Sequence, residues 1–430
     1  MFTPYEDDGR LASTRLPNMI RVRQHFAAPL VGDIPGAVAA AVREAGLPAA
    51  IRPGMRLALG IGSRGIAQID VLALATVCEL QRLGAEVFVV PAMGSHGASH
   101  AEGQKQVLAQ MGVSEERLGV PVRATMEVDV LGTLPEGVPV YMDRYAHAAD
   151  GVVVLGRTKL HTDFHGPIES GAAKMVAVGL GKREGAEAMH SRGSEGLRML
   201  IPAAARFAVQ AGRVLGAIEV VESADGAPAI IKGLQPSDIG AAAEEHLLAQ
   251  ARDLLGRLPF RDLDVLIVEH MGKNISGSGM DTNVLGRMLI QGVPEPAEPR
   301  IHIVAVLNLT ADSHGNAFGL GLADVTTLRV WQAIDYQTFY VNCMTAGLTG
   351  VQRAKLPMAM PTDHLAIAAA LRMCGRRDTE HARVARIRST LDLGEFFASE
   401  SALAATVPTA RMERLSAPEP WQFAGDGALI

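Results

Sequence analysis

Three short stretches hold the residues best able to do chemistry. The first is Gly60-Ile61-Gly62-Ser63-Arg64-Gly65-Ile66. Glycines and a serine at a strand-to-helix turn present backbone N–H groups to an anion. Arg64 could add a two-pronged grip on a carboxylate or phosphate. Such glycine spacing also serves turns that need only backbone freedom. The second is Met93-Gly94-Ser95-His96-Gly97-Ala98-Ser99-His100. An imidazole between glycines at a strand end suits an acid or base working near neutrality, although a plain surface histidine would look the same. The third and richest runs from Lys159-Leu160-His161-Thr162-Asp163-Phe164-His165-Gly166 through Glu169-Ser170-Gly171-Ala172-Ala173-Lys174. It continues to Gly179-Leu180-Gly181-Lys182 and ends at His190. Lys174 stands between small residues and the apolar run 175–178. It is a partly buried electrostatic group, a covalent attachment point, or a lysine snorkelling from a helix.

Elements must hold these stretches in place. Short apolar runs alternate with helical patterns, the form of βα units. Strands are expected over 56–62, 86–91 and 151–155, and helices over 67–83 and 101–111. Ligands of open α/β sheets bind at the carboxyl ends of strands, and all three stretches fall there. A second block has strands over 264–269 and 301–307 with a three-proline loop, 292–300, between them. Thr362 and Asp363 read as an N-cap for a helix over 364–372. The polar loop from Gly272 and Lys273 to Asp281, Asn283 and Arg287 either closes over a substrate or is a rigid turn bonded to its own backbone. The expected fold is α/β, with a larger N-terminal domain (1–260) built on a mostly parallel sheet. A smaller C-terminal α/β domain (261–400) and a tail (401–430) follow, with the active site in the cleft between domains.

Composition narrows the function. The 430 residues exceed one ordinary core. A net charge of −6 and the lack of any Lys/Arg-rich run disfavour nucleic acid, which is bound through clustered cations. Apolar runs are interrupted well before the roughly 18 residues of a membrane span, and the polar, acidic N-terminus has no apolar signal core. Three scattered cysteines, Cys78, Cys343 and Cys374, make a disulfide framework or cysteine-rich zinc site improbable, so the cytoplasm is the expected compartment. His96 with His100, and His161 with His165, have the four-residue spacing of a zinc-binding helix. Glycines within each pair weaken such helices, yet a zinc-dependent hydrolase stays an alternative.

Taken together, GSRGI, GSHG, KLHTDFHGPIESGAAKM and GKNISGSGMD resemble the nickel-dependent lactate racemase family and related 2-hydroxy acid racemases and epimerases. The resemblance spans roughly residues 15 to 400. It implies a nickel-pincer nucleotide, a pyridinium mononucleotide held through a thioamide on Lys174, with His190 completing the nickel coordination. A square-planar Ni(II) site of sulfur donors and one imidazole suits that metal. The resemblance further assigns His96 and His161 as acid/base residues, with His165 in reserve, and Arg64 as the substrate grip. Gly62, Ser63 and Gly171 would line the cofactor. It implies a small 2-hydroxy acid substrate, loading by cofactor-biosynthesis enzymes, and room for a homodimer. Two departures matter. Ile61 stands where the family often has an acid, and Leu289 where it has a substrate-contacting lysine, a charge that Lys273 or Arg287 would have to replace. A larger hydroxy acid (dicarboxylic, aromatic or sugar-derived) is then as good a candidate as lactate. A non-catalytic nucleotide- or acid-binding relative is the third alternative.

Overall fold

The computed structural model describes residues 5–63, 66–407 and 411–430. The chain forms two compact units, one of residues 28–255 and one of 1–27 with 256–430. This departs from the division expected from sequence, because β1 (Met19–Gln24) lies in the second unit and the final thirty residues form no separate tail. No described helix is long and apolar enough to cross a membrane.

In the unit of residues 28–255, β2 (Arg56–Ile61), β3 (Glu86–Pro91), β4 (Val128–Thr133), β5 (Pro139–Asp143), β6 (Gly151–Arg157), β7 (Val214–Glu222) and β8 (Pro228–Leu234) are the strands. Five form one sheet in the order β3-β2-β6-β7-β8, parallel except for β8. The strands β4 and β5 pair as a separate antiparallel ribbon. Continuous apolar runs in β2, β3 and β6 mark strands covered on both faces. Leu57, Leu59, Val87, Val89 and Val153 pack with Leu72, Val77 and Leu80 of the helix Ile69–Arg82. The alternating residues Ala58, Phe88, Val90, Val152 and Val154 face Leu197, Leu200, Ile201 and Ala204 of the helix Gly193–Ala211. Each such buried Val, Leu, Ile or Phe side chain contributes about 2 kcal/mol.

The other unit adds β9 (Asp262–Met271), β10 (Arg300–Leu309), β11 (Val325–Thr327), β12 (Met358–Met360), β13 (Val384–Ser389), β14 (Asp392–Ser399) and β15 (Met412–Arg414). With β1 they form an eight-stranded sheet, β12-β11-β10-β9-β13-β14-β1-β15. The run from β12 to β13 is parallel, and β14, β1 and β15 continue it in antiparallel pairing. In β1, Ile20 and Val22 are fully buried while Arg21 and Arg23 reach Glu395 of β14, both at 2.7 Å. That alternation fixes the register of a strand with one face in the core. Thr362 caps the helix Asp363–Met373 by accepting the Leu365 N–H, as its position in sequence implied.

Candidate active site

Loops after β2, β3 and β6 leave the same carboxyl edge of the parallel sheet and meet around one stretch, 171–190. Ser63 after β2 is hydrogen-bonded to Nδ1 of His96 after β3. A Cβ on Gly62 would lie 3.1 Å from Met175 Sδ, so that loop runs against the turn following Lys174. The Gly94 N–H donates to the Gly179 carbonyl at 3.0 Å, which ties the His96 loop to the same helical stretch. The helix Gly171–Lys174 widens at once into a π turn over Met175–Gly179, with the Leu180 N–H reaching the Met175 carbonyl at 2.8 Å. Such widened turns recur at functional sites.

The His96 loop itself is strained. Ala98 and Ser99 have φ of 55° and 56°, a region costly for side chains other than glycine. Gly97 (φ 67°) permits the fold, because a Cβ there would sit 2.6 Å from the Gln104 nitrogen. Strain of this sort persists only where surrounding contacts impose it. The His96 side chain is exposed, as an acid or base meeting a ligand must be.

The loop from Lys159 to Ser170 is closed on itself. The Ser170 hydroxyl takes the Lys159 N–H at 2.7 Å and donates to the Lys159 carbonyl. Inside it the fully buried Glu169 accepts the His161 N–H at 2.7 Å and the Gly166 N–H at 3.2 Å, and meets His165 Nδ1 at 3.2 Å. Arg252 stands 3.7 Å from the same carboxylate. These bonds give the two histidines different states. His161 Nδ1 accepts the Asp163 N–H at 3.0 Å, so the neutral ring carries its proton on Nε2. His165 turns Nδ1 to a carboxylate, which places its proton there and leaves Nε2 with a lone pair.

Farther on, His190 Nδ1 donates to the Ala186 carbonyl at 2.6 Å. Its Nε2 is thereby left as a donor for a metal, the arrangement in which a ligating histidine is usually held. One edge of the ring is open to solvent. The chain around it still desolvates the ring and pushes its pKa below the ordinary value; the Ala186 carbonyl opposes this, Lys174 adds to it, and Asp163 opposes it. Lys174, half-buried, therefore lies within electrostatic reach of His190, and so does the loop that carries His161. This set fits a lysine-tethered metal nucleotide: a neutral imidazole with a free Nε2 beside an amine.

Beneath the Lys174 helix lie two buried carboxyl groups. Glu244 accepts the Ala173 and Gly240 N–H groups, each at 2.9 Å, and Glu219 accepts the Thr158 hydroxyl at 2.8 Å. Burial raises the Glu244 pKa to about 7 despite these donors. Burial, followed by repulsion from Glu244, pushes Glu219 well above the carboxylate range. Gly171 (φ 77°) fits between them, since a Cβ there would be 2.7 Å from Glu244 Oε1 and 2.9 Å from Thr158 Oγ1.

Other expected residues fare differently. Arg64 lies outside the described residues. Arg287 is a correction: it donates to the carbonyls of Leu322, Ile301 and His302 and pairs with Asp324 at 2.8 Å. Those partners lie at the amino ends of β10 and β11, opposite the carboxyl edge where ligands bind, so Arg287 clamps its own unit. Lys273 follows β9 at the carboxyl edge, donates to the Gly277 carbonyl and lies 4.8 Å from the Phe318 ring centroid. Its loop behaves as the rigid turn, with Gly272 N–H on the Gly279 carbonyl and Asp281 capping Asn283, both at 2.9 Å. Neither histidine pair lies on a helix, and among the described residues no three His, Cys, Asp or Glu side chains gather as a metal site. The zinc-helix reading loses its geometry.

Sequence reading missed Gln104, Asp143, Glu219 and Glu244. Only Glu219 gave a signal, as the lone charge inside the apolar run 214–221.

The unit is thus a parallel α/β domain with Lys174, His96 and His190 on segments at the carboxyl edge of its sheet. Over residues 35–197, within this unit, the chain matches the family model described as the lactate racemase N-terminal domain. Among solved structures it is similar to the lactate racemase apoprotein from Thermoanaerobacterium thermosaccharolyticum, at 12% identity, with 86% of this chain and 94% of that one covered and a TM-score of 0.49. It is also similar to a structural-genomics target from Thermotoga maritima, at 12% identity, covering 80% and 84%, with a TM-score of 0.47. No curated protein sequence matches.

Proposed function

We propose that the protein is a racemase or epimerase of a 2-hydroxy acid that works with a nickel-pincer nucleotide tethered to Lys174. The observation that carries this reading is His190, neutral and with Nε2 unclaimed by Ala186, within reach of the Lys174 amine. Lys174 would hold the nucleotide, His190 would ligate the nickel, and Gly62, Ser63 and Gly171 would line the cofactor. When bound there, such a group would supply a reversible hydride acceptor for the substrate carbon.

The chain's own residues handle the proton and the carboxylate. A base removes the hydroxyl proton as hydride leaves, and a second imidazole serves the opposite enantiomer. His96 is one of the two. For the other, the resemblance points to His161, while the bonds around Glu169 favour His165, whose Nε2 is free to accept. Arg64 holds the carboxylate and keeps the keto acid from leaving while its carbonyl turns. Ile61 is fully buried in the core, so no acid can act from that position. Leu289 packs against the apolar core of its own unit. Both favour a hydroxy acid other than lactate.

The test is a panel of single-enantiomer 2-hydroxy acids offered to cofactor-loaded protein, followed by chiral chromatography. At least one should be interconverted. His96→Ala should lower kcat by about 10²-fold or more, as should whichever of His161→Ala and His165→Ala removes the second base. Full activity in His96→Ala would contradict the reading, and an unaltered function of that variant would favour a carrier.

A further inference from the structure

The motif Gly179-Leu180-Gly181-Lys182 has no part in the chemistry above, yet Lys182 is the most deeply buried cation near it. Its side chain is fully enclosed. The ammonium donates to the Pro91 carbonyl and, at 2.9 Å, to Gln104 Oε1, and makes an ion pair with Asp143 Oδ2 at 3.0 Å. Two oxygens thus accept hydrogen bonds from the ammonium, and the Asp143 carboxylate balances its charge. Asp143, also fully enclosed, caps the turn at Ala146 through its other oxygen at 3.0 Å.

Gln104 carries the connection onward. Its amide nitrogen donates to the Gly94 carbonyl at 2.8 Å and to the His96 carbonyl at 3.2 Å. Pro91 ends β3 and Gly94 opens the loop, so the Lys182–Gln104 pair grips the His96 loop from its root to the histidine itself. Two independent observations argue against mere filling of the core. Lys182 has φ of 54°, a conformation unfavourable for a side-chain-bearing residue. A buried ion pair is also no more stabilising than well-packed apolar side chains of similar volume. An arrangement that holds both a strained backbone and a buried charge under an exposed histidine serves the placement of that histidine.

We propose that Lys182 and Gln104 are positioning residues that fix the backbone of His96, and through the Ser63 contact the setting of its imidazole. The inference rests on the reading of His96 as an acid/base residue, but its test does not need turnover. The apoprotein is labelled with ¹⁵N-histidine and the His96 ring signals are identified by their loss in His96→Ala. They are then compared in Lys182→Met, close in length and uncharged, and Gln104→Glu. The latter keeps an acceptor for Lys182 but turns an acceptor toward the Gly94 and His96 carbonyls.

In both variants the His96 ring nitrogens should move toward the averaged values of a free imidazole, while the protein stays folded by its urea transition. If Lys182→Met does not fold, Gln104→Glu decides the matter alone. In loaded protein kcat should fall by about 10²-fold, as expected for a misplacement near 1 Å, with KM little changed. Unchanged His96 signals in the folded variants would overturn the proposal. Shifted signals in a protein that interconverts no hydroxy acid would uphold the positioning role and defeat the racemase reading instead.

Discussion

Glu219 and Glu244 set a sign on how this protein responds to pH. Raising the Glu244 pKa from 4.5 to about 7 corresponds to about 3 kcal/mol between its two protonation states. The folded state then binds more protons than the unfolded one across that interval. The contribution is full below the unfolded value near 4.5 and is lost as pH rises through about 7. Glu219, also raised, acts in the same direction. Urea unfolding of the wild type should therefore show this loss between about pH 5 and 8, and Glu244→Gln should flatten it. A slope in the variant equal to that of the wild type would contradict the assignment. The pair was invisible in sequence except at Glu219, because a buried polar residue leaves no periodic mark. The histidines and Lys174 were legible, since each sits in a short run of glycine and polar residues after an apolar strand. Arg287 looked like a substrate grip only because sequence cannot tell at which end of a strand a neighbouring loop will pack.

Strands covered on both faces declared themselves. β3 occupies the expected residues 86–91, and β2 and the helix Ile69–Arg82 fall within a residue or two of their expected limits. β1 did not. It is six residues long with two arginines, and its partner Glu395 lies 374 positions away from Arg21. Strand pairing over such a distance has no local signal, and this is why the N-terminal residues were expected in the wrong unit. The alternation in β1 is testable. Ile20→Ala, which empties a fully buried position, should cost about 3 kcal/mol in urea unfolding. Arg21→Ala, on the exposed face, should cost less than about 1 kcal/mol despite its ion pair. Equal losses would mean that the register is wrong.

At the scale of the molecule, one unit carries the parallel sheet whose loops converge on Lys174, and the other is built around a larger mixed sheet closed by the two ends of the chain. The three cysteines are unpaired, so neither unit depends on a disulfide. The proposed function makes the amine at position 174 a covalent anchor, with His190 within its electrostatic reach. The most direct measurement is mass spectrometry of the peptide bearing Lys174, with nickel quantified in the same sample, from protein made together with the enzymes that build the nucleotide. The account predicts a gain of several hundred daltons on that peptide and nickel in equal molar amount, with the nickel lost in His190→Ala. An unmodified Lys174 in protein that nevertheless interconverts hydroxy acids would contradict it.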